Sequence, residues 1–233
     1  MFLKIISIIK KITPSWIFNP IRSFFTAFIG PFIFAYNSGY LRSAFLMKAV
    51  TKKGKPIPWY TFSCIDFLKN RTYETKKILE FGGGQSTLWW AERAKRVVTF
   101  EGDQAWFDEI KSSMPINVEL NYVSLESADI NVSQVNKLLD SIGIEKYDVI
   151  VIDGLNRFEM IPISMNYLAK DGFIICDNSE GYNFFEGFEN SGLNRVDFFG
   201  SAPGVILPHS TSICFPNQSF VFSSKYPIPN RNN

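Results

Sequence analysis

The chain has 233 residues, 46% of them hydrophobic and 20% charged, with a formal net charge of +2. This composition is typical of a folded globular protein and excludes a disordered one. The length suits one α/β domain with an additional segment, but not two full domains. The three cysteines are far apart and form no C-x-x-C pair, so neither a zinc site nor a disulfide framework is predicted. We expect a reducing, cytoplasmic location.

The charges are unevenly distributed along the chain. Residues 1–65 contain no Asp or Glu but nine Lys or Arg, which leaves 15 basic and 22 acidic residues in the rest. An acidic body joined to a basic segment is not expected to bind nucleic acid, because only the segment would attract phosphate. We therefore divide the chain into an N-terminal arm, residues 1–55, and a main domain, residues 56–233.

The arm combines its basic residues with many aromatic ones, which is typical of a helix that lies in a membrane interface. Its longest apolar run, Phe24 to Tyr36, is shorter than the ~20 residues that span a bilayer, and Gly30 and Pro31 interrupt it. The first residues lack a small-residue cleavage site, so no signal peptide is expected. Two interpretations of the helical arm stay open. It contacts a membrane surface through residues 1–50, or its helices pack on the main domain.

Short apolar runs alternate with longer amphipathic ones in the main domain, which predicts a parallel sheet with crossover helices. A helix over Trp59–Lys69 precedes them. The late runs are joined by loops rather than helices, so we expect antiparallel pairing there. The predicted strands are Lys77–Phe81, Arg96–Glu101, Asn117–Val123, Tyr147–Ile152, Gly172–Cys176, Arg195–Phe199 and Ser212–Phe215, with a further strand-like run at Ser219–Ser223.

The first strand leads into a glycine turn. Glu80 lies at its end, the run Gly82-Gly83-Gly84 follows, and Ser86 belongs to the start of a helix. A strand, a glycine turn and a helix let the backbone approach a ligand closely and direct helix N–H groups at it. A second acid, Glu101, closes the next strand 19 residues after the first of these glycines. That is about the spacing of the carboxylate that binds a ribose diol.

Two cofactors use this geometry. A dinucleotide site has a G-x-G-x-x-G turn, but Thr87 stands where the third glycine belongs, and Glu80 would lie near a pyrophosphate. The same acid suits a cation, such as the ammonium group of a methionine moiety. The run ILEFGGGQS therefore resembles the first motif, acid-x-G-x-G, of the class I S-adenosylmethionine-dependent methyltransferases. Ser86 departs from the motif, because many members have a third glycine there.

The resemblance covers roughly residues 56–223. The run YDVIVIDG, with Asp153, resembles the family's fourth strand, whose terminal acid faces the transferred methyl group, and the run ending in Asp177 and Asn178 resembles its fifth. The pattern IDG-x-x-R … DN-S-E … DF-x-G … TSI-x-F of an uncharacterised subgroup is also present, with Arg157 as its arginine. The resemblance implies an α/β, Rossmann-like, doubly wound fold. Its sheet would be mostly parallel and seven-stranded, with an antiparallel late strand.

The strand ends of such a sheet meet at one edge, so we expect the acids there to surround one crevice. The resemblance implies S-adenosylmethionine as cofactor. The residues expected to bind it are Glu80, Gly82, Gly83, Gly84, Ser86 and Glu101, with Asp129, after the third strand, near the adenine.

Asp153 is expected to act as a base or to orient the substrate. Arg157 would bind a substrate carboxylate or phosphate, or pair with Asp153. Asp153, Asp177 and Asn178 also resemble the divalent-metal ligands of the catechol-type O-methyltransferases, which would hold Mg²⁺. The alternative is that they bind no metal. His209, in a loop, is either a catalytic group or an ordinary surface residue, and Tyr182 is a candidate substrate contact.

Three functions remain open at this stage. The first is methyl transfer, at oxygen, to a small molecule or to a glycan or lipid-linked acceptor. The second is a NAD(P)-dependent oxidoreductase, which Thr87 disfavours. The third is a non-catalytic interaction protein, against which the intact set of acids and glycines argues. We expect the first, in the cytoplasm and peripheral to a membrane.

Overall fold

The computed structural model describes residues 10, 12–144, 146–154 and 156–227. Residues 1–9 and 11 of the predicted arm, and residues 228–233 of the predicted main domain, lie outside this range. The predicted boundary at residues 55 and 56 falls in a tight turn, in which Val50 forms a β-bridge with Pro56. Ala49 and Ile57 on either side of the turn are buried. The turn is therefore packed, and the division into two domains stays a prediction.

The centre of the fold is a single sheet. Its strands are β1 (Lys77–Phe81), β2 (Arg96–Glu101), β3 (Val118–Tyr122), β4 (Tyr147–Ile152), β5 (Leu168–Asp177), β6 (Asn194–Gly200) and β7 (His209–Phe215). They lie in the order β3-β2-β1-β4-β5-β7-β6. Strands β1 to β5 pair in parallel, and β7 pairs antiparallel with β5 and β6. This order confirms the expected Rossmann-like sheet with an antiparallel late strand.

Helices cover both faces of the sheet. In the described part of the chain, the helices are α1 (Ser15–Ser38), α2 (Tyr40–Leu46), α3 (Phe62–Leu68), α4 (Gln85–Ala91), α5 (Gln104–Lys111), α6 (Ala128–Ile142), α7 (Met160–Tyr167) and α8 (Phe184–Phe188). Successive strand residues point to opposite faces, so the sheet contributes to two separate cores. Ile150 packs with residues of α6, α7 and α8. Val149 packs with residues of α3 and α4 on the other face.

The prediction of a strand at Ser219–Ser223 is wrong, because the chain forms a 3-10 turn over Phe220–Phe222. The hydroxyl group of Ser219 donates to the carbonyl oxygen of Gly172 at 3.0 Å, and the ring of Phe220 lies 5.4 Å from that of Phe173. The apolar residues of this run therefore cover one face of the sheet and do not extend its edge.

The apolar run that Gly30 and Pro31 interrupt belongs to one longer helix, because α1 continues through both residues. The segment Phe25–Ile29 is a π-helical turn, in which the N–H of Gly30 donates to the carbonyl oxygen of Phe25. This wider turn precedes Pro31, whose nitrogen has no hydrogen to donate. Among the described residues, α1 is the one helix whose length and apolar composition would suffice to cross a membrane.

Gly82 lets the glycine turn lie directly against the end of β4. Its φ is +104°, and a Cβ at this position would lie 2.6 Å from the backbone nitrogen of Gly154. The N–H of Gly82 donates to the carbonyl oxygen of Phe100 at 2.8 Å, so the turn is also fixed to β2. A side chain at this position would therefore force two backbone segments apart.

We expect Gly82→Ala to lower the free energy of unfolding by at least about 2 kcal/mol, because it adds a backbone clash to an unfavourable φ. Gly143→Ala is the matched control. Gly143 also has a positive φ, +68°, but nothing lies within 4 Å of its would-be Cβ, so only the conformational cost of about 1 kcal/mol applies. Urea unfolding measures both losses. Equal losses would contradict the importance of the backbone contact.

Candidate cofactor and substrate site

A cavity of about 460 Å³ lies at the carboxyl ends of the parallel strands. Ligands bind at this edge in open α/β sheets, and the volume is within the range of small-molecule pockets. The residues from the sequence analysis that line it are Gly82, Gly83, Gly84, Ser86, Glu101, Asp153, Arg157, Asp177, Asn178, Tyr182 and His209. The structure therefore brings most of the candidates to one cavity, while their roles stay predictions.

Glu101 holds the glycine turn from the neighbouring strand. Its Oε2 accepts the N–H of Gly83 at 3.0 Å, and its Oε1 accepts the N–H groups of Gly102 and Asp103, each at 2.8 Å. The indole N–H of Trp106 donates to the carbonyl oxygen of Gly83 at 2.7 Å. The three bonds to its oxygens fix the carboxylate of Glu101 in the cavity wall.

Glu80 lies beneath the turn and does not line the cavity. Its Oε2 accepts a short hydrogen bond from the hydroxyl group of Thr87, whose oxygen in turn accepts the N–H of Gly84 at 2.9 Å. Its Oε1 is buried and has no partner among the described residues. Burial raises the pKa of Glu80 to about 7, although hydrogen bonds from neighbouring hydroxyl groups partly lower it. Thr87, in the place of a third glycine, therefore links the acid to the turn.

Asp129 lies outside the site, contrary to expectation. It is exposed in the first turn of α6, and it lines neither the main cavity nor the neighbouring one of about 30 Å³. A carboxylate in the first turn interacts favourably with the helix dipole, which accounts for this residue without a ligand. Leu125 and Asn131 line the smaller cavity instead, beside Glu101.

Arg157 connects the ends of β4 and β5. Its buried guanidinium group donates from Nε to the carbonyl oxygen of Gly154 at 2.8 Å and from Nη2 to Oδ1 of Asp153 at 3.1 Å. Nη1 donates to Oδ1 of Asn178 at 3.3 Å and to the carbonyl oxygen of Asp177. Of the two expected roles of Arg157, the ion pair with Asp153 is therefore present.

This arrangement does not fit the expected metal triad. The oxygens of Asp153 and Asn178 accept from a guanidinium group, which already supplies a positive charge between the two strand ends. Oδ1 of Asp177 accepts the hydroxyl group of Thr211 at 2.7 Å. Among the described residues, no group of three or more His, Cys, Asp and Glu is placed to hold a metal ion. The structure gives no support for Mg²⁺.

His209 begins β7 and is buried against the cavity. Its Nε2 lies 3.6 Å from Oδ1 of Asp177, and this carboxylate raises the pKa of His209 while burial lowers it. Burial, and after it the charge of Asp177, raise the pKa of Asp153 well above the ordinary value, while Arg157 lowers it. Three titratable groups on adjacent strands therefore influence one another at the cavity wall.

Several residues that line the cavity were not predicted from the sequence, namely Trp59, Gln85, Trp106, Gly154 and Val205. Trp106 had a usable signal, because it lies in the first turn of the helix after Glu101 and hence at the same edge of the sheet. Trp59 and Val205 come from segments before β1 and between β6 and β7. Only the tertiary fold brings those segments to the cavity.

No family model and no curated protein matches the sequence. Among solved structures, the precorrin-6y C5,15-methyltransferase of Geobacter metallireducens is similar, with 15% identity over 66% of this chain and 87% of that one and a TM-score of 0.47. A methyltransferase-like protein of Silicibacter pomeroyi has 18% identity, coverages of 67% and 85% and a TM-score of 0.46. Spermidine synthase of Thermotoga maritima has 13% identity, coverages of 74% and 66% and a TM-score of 0.47. At such values the likeness concerns the fold alone, which the strand order of this chain establishes by itself.

We expect the buried Glu80 to make stability fall as pH rises. Because its pKa is about 7 in the folded chain and near 4.5 when unfolded, the folded state binds more protons between these values, and stability is lost as pH rises from 4.5 through 7. The loss should approach about 3 kcal/mol. Glu80→Gln should remove this part of the slope, measured by urea unfolding at pH 5 and pH 8.

The matched control is Glu74→Gln, which changes an exposed glutamate and should keep the slope of the wild type. An unchanged slope in Glu80→Gln would mean that the carboxyl group does not titrate in this range.

Proposed function

We propose that the protein is an S-adenosylmethionine-dependent methyltransferase. The observation that carries the proposal is the convergence of the glycine turn, Glu101 and Asp153 on one cavity. The glycine turn lets the protein backbone approach the ligand closely, and the carboxylate of Glu101 would accept hydrogen bonds from the ribose hydroxyl groups. The acids at this edge favour a cation, which the sulfonium and ammonium groups of the cofactor supply.

The geometry disfavours a NAD(P)-dependent oxidoreductase. A buried acid, Glu80, lies beneath the turn on which a pyrophosphate would have to rest, and the hydroxyl group of Thr87 binds that acid. The antiparallel β7 lies between β5 and β6, whereas dinucleotide-binding sheets of the order 3-2-1-4-5-6 have no such strand. Both features support a cationic nucleoside ligand over an anionic dinucleotide.

The chain supplies orientation and a base for methyl transfer. The reaction is an in-line displacement that requires an oriented nucleophile. Asp153 lines the cavity, and its raised pKa gives its carboxylate a higher affinity for the proton of an acceptor hydroxyl group. Arg157 acts as a positioning residue, because its guanidinium group fixes Asp153 while the ring of Tyr182 covers it at 4.4 Å.

We propose an oxygen acceptor on a small molecule or on a glycan or lipid-linked molecule. The volume of about 460 Å³ has to hold the cofactor as well, which limits the acceptor group to one of small size. The carboxylates of the cavity would repel a nucleic-acid backbone, so we propose no nucleic-acid substrate. The proposed location is the cytoplasm, at a membrane surface, because the basic, aromatic arm suits anionic lipid.

We expect Glu101→Ala to weaken the binding of S-adenosylhomocysteine at least about tenfold, because charge-assisted hydrogen bonds to the ribose are lost. Isothermal titration calorimetry measures the affinity. Asp129→Ala, which removes an exposed acid outside the cavity, is the matched control and should bind like the wild type.

The same titration with NAD⁺ tests the alternatives. Binding of NAD⁺ without S-adenosylhomocysteine would favour the oxidoreductase, and binding of neither would favour a non-catalytic interaction protein. Wild-type affinity in Glu101→Ala would show that the cofactor pocket is misplaced. Because Glu101 also holds the glycine turn, thermal unfolding of the variant has to confirm that it is folded.

We expect Asp153→Asn to lower kcat about 100-fold or more, because the amide cannot accept the acceptor's proton. The acceptor is first identified by a screen with a radiolabelled methyl donor. In the wild type, kcat/KM should fall with decreasing pH at values above those of an ordinary carboxyl group, because the pKa of Asp153 is raised in the free chain.

Asp171→Asn, at an exposed position near the opposite end of β5, should keep wild-type kcat. If Asp153→Asn lowers kcat only slightly and leaves the pH profile unchanged, another group acts as the base.

A further inference from the structure

The arm presents a large apolar surface that the rest of the chain leaves uncovered. Along α1, no residue of the most apolar 18-residue window is buried. The rings of Phe24 and Phe28 lie 4.9 Å apart on one side of the helix. The exposed large apolar residues in the described part of the arm are Ile12, Trp16, Ile21, Phe24, Phe25, Phe28, Ile29, Phe32, Ile33, Phe34, Tyr36, Phe45, Leu46 and Met47. Soluble monomers rarely expose contiguous apolar patches of this extent.

The rim of the cavity also exposes large apolar side chains. In the loop between β6 and β7, Val205 lines the cavity, while Ile206 and Leu207 beside it are 90% and 72% exposed. On the arm, Phe45 of helix α2 is 87% exposed, and Met47, just after this helix, is 83% exposed. Exposed apolar side chains thus occur both on the arm and beside the entrance of the cavity.

The arm is fixed to this rim by specific contacts. The hydroxyl group of Tyr40, at the start of α2, donates to the carbonyl oxygen of Val205 at 3.0 Å. Gly204 packs so closely on α2 that a Cβ there would lie 2.7 Å from the backbone nitrogen of Ala44. The indole N–H of Trp59 donates to the carbonyl oxygen of Pro203 at 2.9 Å. The arm and the rim therefore present their apolar side chains as one unit.

The charge of the surface indicates what covers it. Residues 1–65 contain no acid, and exposed basic side chains accompany the apolar ones at Arg22, Arg42, Lys52, Lys53 and Lys55. Lys48 is partly neutralised by Glu109 of the main domain, at 3.7 Å. Two copies of this surface would repel each other, because both are basic. An anionic lipid bilayer offers apolar chains and negative head groups together.

We propose that α1, Phe45–Met47 and Ile206–Leu207 form one membrane-binding surface that docks on an anionic lipid bilayer. Helix α1, 24 residues and about 36 Å long, lies along the bilayer surface with its exposed apolar side chains at the boundary between head groups and acyl chains. Ile206 and Leu207 insert beside it, so the cavity opens at the level of the lipid head groups. This inference concerns docking only and does not depend on the proposed methyl transfer.

The test is co-sedimentation of the full-length protein with vesicles of phosphatidylcholine, with or without roughly one third phosphatidylserine. We expect the wild type to pellet with the anionic vesicles several-fold more strongly, and less so at high salt. The double variant Ile206→Asp/Leu207→Asp should bind anionic vesicles about tenfold more weakly, because two charges at the rim oppose insertion. Ile116→Asp is the matched control, because Ile116 is fully exposed before β3, at the opposite end of the sheet, and should leave binding unchanged.

A second measurement reports the depth of the rim. The native cysteines Cys64, Cys176 and Cys214 are all buried, so a nitroxide attached to Leu207→Cys labels one exposed position. In vesicles it should become accessible to oxygen and shielded from a water-soluble nickel chelate, while a label on Ile116→Cys should stay in water.

Four results would overturn the proposal. They are failure of the wild type to pellet, equal binding to vesicles without phosphatidylserine, wild-type binding by the double variant, and a Leu207 label that stays in water. Self-association without lipid, removed by Phe28→Asp, would instead assign the surface to a second copy of the chain.

Discussion

Four carboxylates meet at one edge of the sheet, and the free-energy cost of keeping them there determines how the site is built. Parallel strands end at the same edge, so the acids that close β1, β2, β4 and β5 come together through the topology alone. The four carboxylates are stabilised in different ways. Glu101 accepts three backbone N–H groups, and Asp153 pairs with Arg157. Asp177 accepts a hydroxyl group, whereas Glu80 keeps one oxygen without a partner among the described residues. Burial raises the pKa values of Glu80 and Asp153, and the hydrogen bonds to Glu80 and the ion pair of Asp153 offset this only in part.

The local sequence pattern was sufficient to predict the site residues that lie at the ends of strands. The positions of Gly82, Glu101 and Asp153 follow from strand ends, which alternating apolar runs locate well. The tight contact of Gly82 with Gly154 depends on the register of two strands distant in sequence, and nothing near either residue encodes it. Trp59 and Val205 were missed for the same reason.

The errors have a common cause, which is that local patterns were interpreted without their tertiary partners. The apolar run around Gly30 and Pro31 was judged too short to span a bilayer, but a π-helical turn before Pro31 keeps α1 continuous over 24 residues. The run around Phe220 has the composition of a strand, but the ring of Phe220 packs on Phe173, on one face of the sheet. Asp177 and Asn178 have the residue types of a metal site, but a guanidinium group four residues beyond Asp153 occupies the space between the strand ends. The residue types identified the oxygen atoms at this edge, and the fold places the guanidinium group of Arg157 beside them.

The incomplete compensation at this edge has a consequence for the proposed cofactor. A ligand cation placed beside the carboxylates favours their charged forms, so its binding lowers the raised pKa values of Asp153 and Glu80 and releases protons. Asp153 would then be deprotonated in the complex at a pH at which it is partly protonated in the free chain. The donor itself would therefore produce the base that its acceptor needs, and Arg157, which contacts Asp153 in the free chain, keeps that carboxylate in place in both states.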